Sequence, residues 1–319
     1  LLGASYGADT INYQRDLIAY DLALGTLRTN FVETNRSFAV FGQGEWNFTP
    51  GWKLIGGLRH TSESKDYSGG SVEVDPFGVS RVKVLFPNTA GQGLYARTEY
   101  EDNDLSGSLA LNWKPSRDVL IYGSVSRGYK SGGFDGSGIT EPESFTPYDA
   151  EKIWAYEAGA KISADRLQFN GAVFYYDYSD KQVLALVDFG GGVTEAIIEN
   201  AAQSRIFGAE LDVGLELANR LRLVFSGLIV SSRVTEWESP DPSEVIRRIG
   251  NDLPGTPQAS LTARLDWSRD LAANWEFKLS GWASYTDGAF RDIENTVALR
   301  SDERFLANAR MEIAQVDQG

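Results

Sequence analysis

SFAVFGQGEWNFTPGWKLIGGLRHTSESKDYSG (residues 37–69) is the stretch that decides the fold. In its first part Phe38, Val40, Trp46 and Phe48 alternate with Gln43, Glu45 and Asn47. A period of two sets successive side chains on opposite faces of a strand, one apolar and one polar. A tight connection at Thr49–Gly51 follows, and the chain then runs on in a second extended segment.

The same alternation recurs on the C-terminal side. Leu105, Leu109, Leu111 and Trp113 interleave with Ser106, Ser108, Asn112 and Lys114. Phe207 to Leu217 interleave with Glu210, Asp212 and Glu216, Leu221 to Ile229 with Arg222 and Ser226, and Leu261 to Trp267 with Arg264 and Asp266. Trp275 to Tyr285 and Phe305 to Ile313 complete a series of about 12 strands, so the fold class is all-β and antiparallel.

Alternation alone fits a soluble sandwich as well as a membrane barrel. The connections separate them. Short ones are expected at Thr49–Gly51, Pro115–Arg117, Ser163–Asp165, Ala218–Arg220 and Arg269–Asn274. Long ones are expected between them, at Lys65–Ala96, Ser131–Asp149, Asp180–Gln203, Glu238–Thr256 and Asp287–Asp302. Short turns on one side and long loops on the other are the habit of a transmembrane β-barrel, whereas a Greek-key sandwich mixes both at each end. Five of the eight tryptophans, Trp46, Trp52, Trp113, Trp267 and Trp275, sit beside the short connections, as a girdle at one membrane interface would. Trp237 and Trp282 fit less simply and are assigned to a loop and to the lumen.

Composition excludes other classes. The 319 residues include no cysteine and one histidine, His60, which removes disulfide frameworks, thiol nucleophiles and His-cluster metal sites and leaves His60 a structural reading. A net charge of −14 opposes nucleic acid as a partner. No run approaches the roughly 20 apolar residues of a membrane helix. No basic and apolar leader is visible at LLGASYGADT.

Residues 37–69 resemble the barrel of TonB-dependent receptors, in which an aromatic strand, a tight turn and a strand of the form GLR-T-E-KD follow one another. DVLIYGSVSRGYKSGGF (118–134), EKIWAYEAGAKISADRLQFNGAVFYYDYSDKQV (151–183), ENAAQSRIFGAELDVGLELA (199–218) and LPGTPQASLTARLDW (253–267) are similar to further segments of that family, in its order. The resemblance implies a barrel of about 22 strands, of which residues 1–319 hold the middle and later part. An N-terminal plug domain and the last strands are expected to lie outside it. It also implies an outer-membrane location, a monomer in contact with membrane lipid, a ferric siderophore or similar metal chelate as ligand, and a TonB complex that acts through the plug. Neither a resident cofactor nor a bound metal is expected.

Chemistry read from the residues stays bland. The glycines at Gly132-Gly133 and Gly190–Gly192 lack the strand and helix flanks of a phosphate loop and read as mobile outer loops. The acidic run Glu99–Asp104 lacks calcium-loop spacing and reads as a solvated strand end. No nucleophile elbow or HExxH motif is present, so no enzyme is expected. Parity proposes a lumen lining of Gln43, Glu45, Arg59, Asn112, Lys114, Gln168, Asn170, Glu210, Asp212, Arg264 and Glu312. Position in a family receptor makes Lys130, Phe134, Tyr148, Arg247 and Arg248 the candidates for ligand contact. Arg127 stays unassigned, because Val119, Ile121 and Val125 compete with Leu120 and Tyr122 for the apolar face. A passive porin and a soluble β-sandwich binding protein are the alternatives.

Overall fold

The computed structural model describes residues 1–19, 25–74, 94–134, 147–188, 194–237, 247–272 and 274–315. Its strands are β1 (Leu2–Ala19), β2 (Gly25–Thr49), β3 (Trp52–Val74), β4 (Leu94–Trp113), β5 (Val119–Lys130), β6 (Glu151–Ala164), β7 (Leu167–Asp188), β8 (Thr194–Ala218), β9 (Leu221–Glu236), β10 (Ala259–Ala272), β11 (Trp275–Thr286) and β12 (Arg304–Gln315). They form one sheet in strict chain order, β1 to β12, and each paired neighbour runs antiparallel.

Directly paired residues share a face, so the registers carry one apolar row round the sheet. Trp52 pairs Trp113, which pairs Ile121, and Leu54 pairs Leu111. Val125 pairs Tyr156 and Val173 pairs Ala209, which pairs Ile229. Leu265 pairs Leu223. Many of these side chains are exposed, Leu58, Leu109, Phe207, Ile229 and Met311 among them. The buried strand residues lie on the other face: Ala39, Thr61, Tyr67, Asp104, Phe174 and Ser232 are examples. Val183, beyond the left-handed residue Asp180, is outside this parity argument. Burial of one face while the other stays open means that the sheet curls round its polar side.

The short connections tie into the next strand. In the first, Gly51 has φ +80°, and a Cβ there would lie 2.7 Å from the Lys114 carbonyl oxygen, so glycine is required twice over. The amide of Lys114 donates to the Gly51 carbonyl at 2.7 Å, that of Ser163 to Asp118 at 2.8 Å, that of Glu216 to Arg166 at 3.0 Å and that of Ser268 to Arg220 at 3.0 Å.

The long connections are shorter than expected. The ladder of β2 and β3 continues through Asn35↔Lys65 to Thr26↔Val74, so much of the stretch expected as loop from Lys65 is strand. Likewise Lys181↔Ala201 to Asp188↔Thr194 extend β7 and β8 into the stretch expected as loop from Asp180 to Gln203. Backbone hydrogen bonds propagate a hairpin beyond the clean alternation, where Val183 and Leu184 are apolar in succession and Phe31 and Tyr67 stand on the otherwise polar face, so hydrophobic period two carries no clear signal there. The acidic run Glu99–Asp104 is corrected with them, because it lies inside β4 rather than at a strand end. Gly190–Gly192 fall outside the described residues.

Candidate functional site

The polar face carries the side chains that parity assigned to it. Cross-strand registers place Gln43, Glu45 and Arg59 on it, then Asn112, Gln168, Asn170, Glu210, Asp212, Arg264 and Glu312. Lys114 follows the end of β4. These groups are tied to near neighbours. Lys53 Nζ lies 2.8 Å from Glu45, Ser226 donates to Asp212 at 2.6 Å, Arg264 grips Asp266 at 2.8 Å and Arg310 meets Glu312 at 2.5 Å. Arg59 donates to Thr61 at 3.1 Å and to Ser5 at 3.2 Å. The result is a polar but mutually neutralised wall.

Near the long-loop end of that face the chain builds an aromatic ladder. Tyr13 stacks on Phe31 at 4.8 Å, Phe31 lies 5.2 Å from Tyr67, and Tyr67 lies 5.0 Å from Phe134. Tyr67 is 1% exposed, and Phe134 is buried against it with Phe31 and Tyr100 alongside. Gly133 and Tyr148 exchange two backbone hydrogen bonds, 3.0 and 2.8 Å, and Lys65 Nζ donates to the Gly132 carbonyl at 2.5 Å. A Cβ on Gly132 would lie 2.2 Å from the Tyr148 carbonyl oxygen. The Gly132-Gly133 pair is therefore corrected from mobile loop to pinned close contact, required by the approach of Tyr148. Burial pushes the Tyr100 phenol up to about 12, with nearby Asp102 adding to the rise, so it stays a neutral hydroxyl.

Polar side chains complete the order at this end. Asn200 donates to the carbonyls of Asp149 at 3.0 Å and Asp180 at 2.7 Å, and its Oδ1 accepts the Asp149 amide at 2.9 Å. Gln182 donates to the carbonyls of Ser131 and Asp149 at 3.0 and 3.1 Å. Burial raises the Tyr178 phenol, and Glu151 adds to it. Lys181 sits 4.1 Å over the same ring.

The five ligand candidates divide into two groups. Lys130, Phe134 and Tyr148 come together round Gly132-Gly133, Lys130 exposed at the end of β5 and Phe134 in the aromatic cluster. Arg247 and Arg248 lie elsewhere, in the segment before β10. Arg247 is exposed, but Arg248 is 2% exposed, 2.9 Å from Glu294 and 4.3 Å above the Trp237 ring. Trp237, Leu253, Ile293, Val234 and Val183 form the hydrophobic cluster round it. Here the connection between β9 and β10 is locked to that between β11 and β12. Asn251 donates to the Ile293 carbonyl at 2.9 Å, Asn295 to the Asp252 carbonyl at 2.9 Å, and the Asp252 amide to Asn295 at 2.8 Å. Arg233 pairs with Asp252 beneath them.

Arg127, unassigned by parity, has a defined place in the structure. The ladder of β4 and β5 ends at Gly107↔Arg127, which puts Arg127 on the apolar side, opposite Trp154. From there its guanidinium reaches Asp104 with two bonds, 2.8 and 2.9 Å, and also donates to the Leu105 carbonyl. Asp104 is 2% exposed on the polar side. The pair thus crosses the sheet at the point where two strands part.

The tryptophans beside the short turns all lie on the apolar face. Trp52 and Trp113 stack at 5.4 Å, with Phe48 bridging Trp52 and Trp46 at 6.3 and 5.5 Å, and Trp267 meets Phe277 edge-on at 5.9 Å. Trp275 is exposed nearby. A second aromatic row, not anticipated, stands toward the long-loop end: Tyr6, Phe38, Trp154, Phe207 and Phe305, all exposed on the same face. Beyond it that face turns charged, with Arg36 bonded to Asp66 and Arg205 to Asp177. Trp282 has polar-face parity, and His60 lies on the apolar face between Val40 and Leu105. Among the described residues no group of three or more potential ligands is placed to hold a metal ion.

The family profile described as TonB dependent receptor-like, beta-barrel matches residues 1–314. The chain is 25% identical over 243 residues to the pesticin receptor of Yersinia pestis, a match that covers 75% of this chain and 32% of the relative. Its fold is similar to the ferric yersiniabactin uptake receptor FyuA from Yersinia pestis, with a TM-score of 0.73 and 16% identity over 97% of this chain and 42% of that one. It is similar too to the siderophore receptor PiuA from Acinetobacter baumannii, with a TM-score of 0.68 and 15% identity over 97% and 45% of the two chains. The chain spans less than half the length of each.

Proposed function

This chain belongs to the TonB-dependent receptor β-barrel family, and from that premise we propose that residues 1–319 are part of the wall and outer loops of an outer-membrane receptor for a ferric siderophore or a similar scarce chelate. The apolar face meets lipid, and the two aromatic rows mark its upper and lower interfaces. The polar face lines the lumen, where it would solvate a plug supplied by another part of the protein, and TonB would act on that plug. The protein works as a monomer, and the ordered end near Lys130, Tyr148 and Arg247 is the ligand's first contact surface.

One observation carries this reading above that of an open pore. The long-loop end is packed, with an aromatic ladder and two loops locked to each other, as a specific outer surface requires and a simple channel mouth does not. The test uses the full-length receptor in cells starved of iron. Its deletion should abolish uptake of one radiolabelled ferric siderophore, and loss of TonB should do the same. Uptake that persists without TonB, or a steady large conductance of the purified protein in planar bilayers, would overturn the proposal in favour of a porin.

The assignment of faces has its own test. Leu211 lies on the apolar face midway between Phe207 and Leu217, while Asp212 points to the polar side and accepts from Ser226. Leu211→Arg is expected to destabilise the folded receptor in lipid by about 2–4 kcal/mol, as for arginine at the bilayer midplane. Asp212→Arg should cost less, because the lumen solvates the charge. Urea titrations in liposomes read both, and equal losses would contradict the assignment.

A further inference from the structure

A groove of about 670 Å³ lies on the apolar face between β1 and β6. Its floor is made of glycine: Gly42 and Gly44 of β2, Gly56 of β3 and Gly107 of β4 all have outward parity. Leu58, Leu109 and Trp154 stand at its sides and are exposed. Elsewhere on this face glycines such as Gly123, Gly171 and Gly227 stand singly among larger side chains, whereas here four come together on three adjacent strands. Close packing explains Gly107, where a Cβ would lie 2.6 Å from the Gly57 carbonyl oxygen. It does not explain the others equally. A Cβ on Gly44 would meet nothing within 4 Å, and one on Gly56 nothing nearer than 3.5 Å. The hollow is therefore open space at positions where a side chain would fit.

Its place determines what covers it. The groove sits between the lower row of Trp46 and Trp113 and the upper row of Phe38 and Trp154, inside the apolar belt and continuous with it. Its size is that of a ligand cleft, commonly about 300–1,000 Å³. At its upper end Arg127 is already held by both oxygens of Asp104, so the groove presents no net charge to a head group.

We propose that this groove holds one acyl chain of a membrane phospholipid, selected by the chain rather than by the head group. The proposal rests on the apolar face being the lipid-facing one. Filling the hollow with Gly44→Leu and Gly56→Val removes the site, whereas Ala307→Leu, on the same face of β12, adds bulk outside it. The full-length receptor and both variants would be reconstituted into vesicles of palmitoyl-oleoyl phosphatidylethanolamine, with or without the matching phosphatidylglycerol. Flotation with the vesicles checks insertion, and native mass spectrometry after detergent extraction counts retained lipid.

The unsubstituted receptor and Ala307→Leu should each keep one lipid of either head group, and the groove-filled variant should float normally but keep none. A receptor that floats yet keeps no lipid overturns the groove and leaves the membrane reading standing. Equal retention by the filled variant, or retention of the anionic lipid alone, overturns it as well. So does a dimer that the filled variant dissociates. Failure of the unsubstituted protein to float overturns the membrane reading and the groove together.

Discussion

Arg127→Ala is expected to destabilise the folded receptor by about 3–5 kcal/mol, the usual cost of removing one member of a buried ion pair. The loss comes less from the bonds broken than from what is left behind. Asp104 is 2% exposed and would keep its charge without the two guanidinium bonds that now offset its desolvation. Arg127 is 26% exposed and also donates to the Leu105 carbonyl, so Asp104→Asn should cost less than the arginine change. Replacing both, Arg127→Ala with Asp104→Asn, should recover most of the stability, because removing both members leaves no stranded charge. Urea titrations of the four proteins in liposomes form the cycle. A loss below about 1 kcal/mol for Arg127→Ala, the range of exposed salt bridges, would show that the pair is solvated.

The second large effect is expected at Arg248. Its guanidinium is enclosed with Glu294 and the Trp237 ring, and the segments that it joins share a core of Leu253 and Ile293. Arg248→Ala should cost about 3–5 kcal/mol of local stability, for the same reason of an uncompensated partner. Because the affected module is one cooperative patch of loop rather than the sheet, the loss should appear as local opening. Limited proteolysis should then cut within residues 247–258 or 287–303 while the strands stay protected. Arg248→Lys should rescue only in part, since an ammonium restores charge without the planar stacking on the indole. If proteolysis is unchanged in Arg248→Ala, the two loops are held by their backbone bonds alone.

The same geometry reassigns the ligand candidates. Lys130, Phe134, Tyr148, Arg247 and Arg248 were chosen as outer-loop residues of suitable chemistry. Of these, Phe134 and Arg248 are spent on packing, one against Tyr67 and the other against Trp237. Lys130 and Arg247 are the exposed charges of the set, and they are the positions where charge reversal should alter ligand affinity with least effect on folding. Burial could not be read from loop residues, since it depends on which distant segments meet them.

Within the belt the amino-acid order was enough. Side chains on one face meet an apolar surrounding and those on the other a polar one, so hydrophobic period two writes the strand, its face and its short turns directly into residues 37–69 and their counterparts. The polar-face set from Gln43 to Glu312 and the apolar-face tryptophans from Trp46 to Trp275 share their faces as that parity expects. Above the belt the clean alternation lapses, with Val183 and Leu184 apolar in succession and Phe31 and Tyr67 on the otherwise polar face, and the extensions of β2, β3, β7 and β8 went unread along with the second aromatic row.

Arg127 shows the limit most clearly. Its strand offered two competing apolar faces, and nothing local chooses between them. Only the register of β4 and β5, and the end of their ladder at Gly107, sets its side chain on the apolar side with a way through to Asp104. Local periodicity determined the sheet and its faces, because each strand carries that information by itself. Tertiary structure decided the ion pairs, the locked loops and the glycine groove, because each joins residues that come near one another only after the strands have found their register.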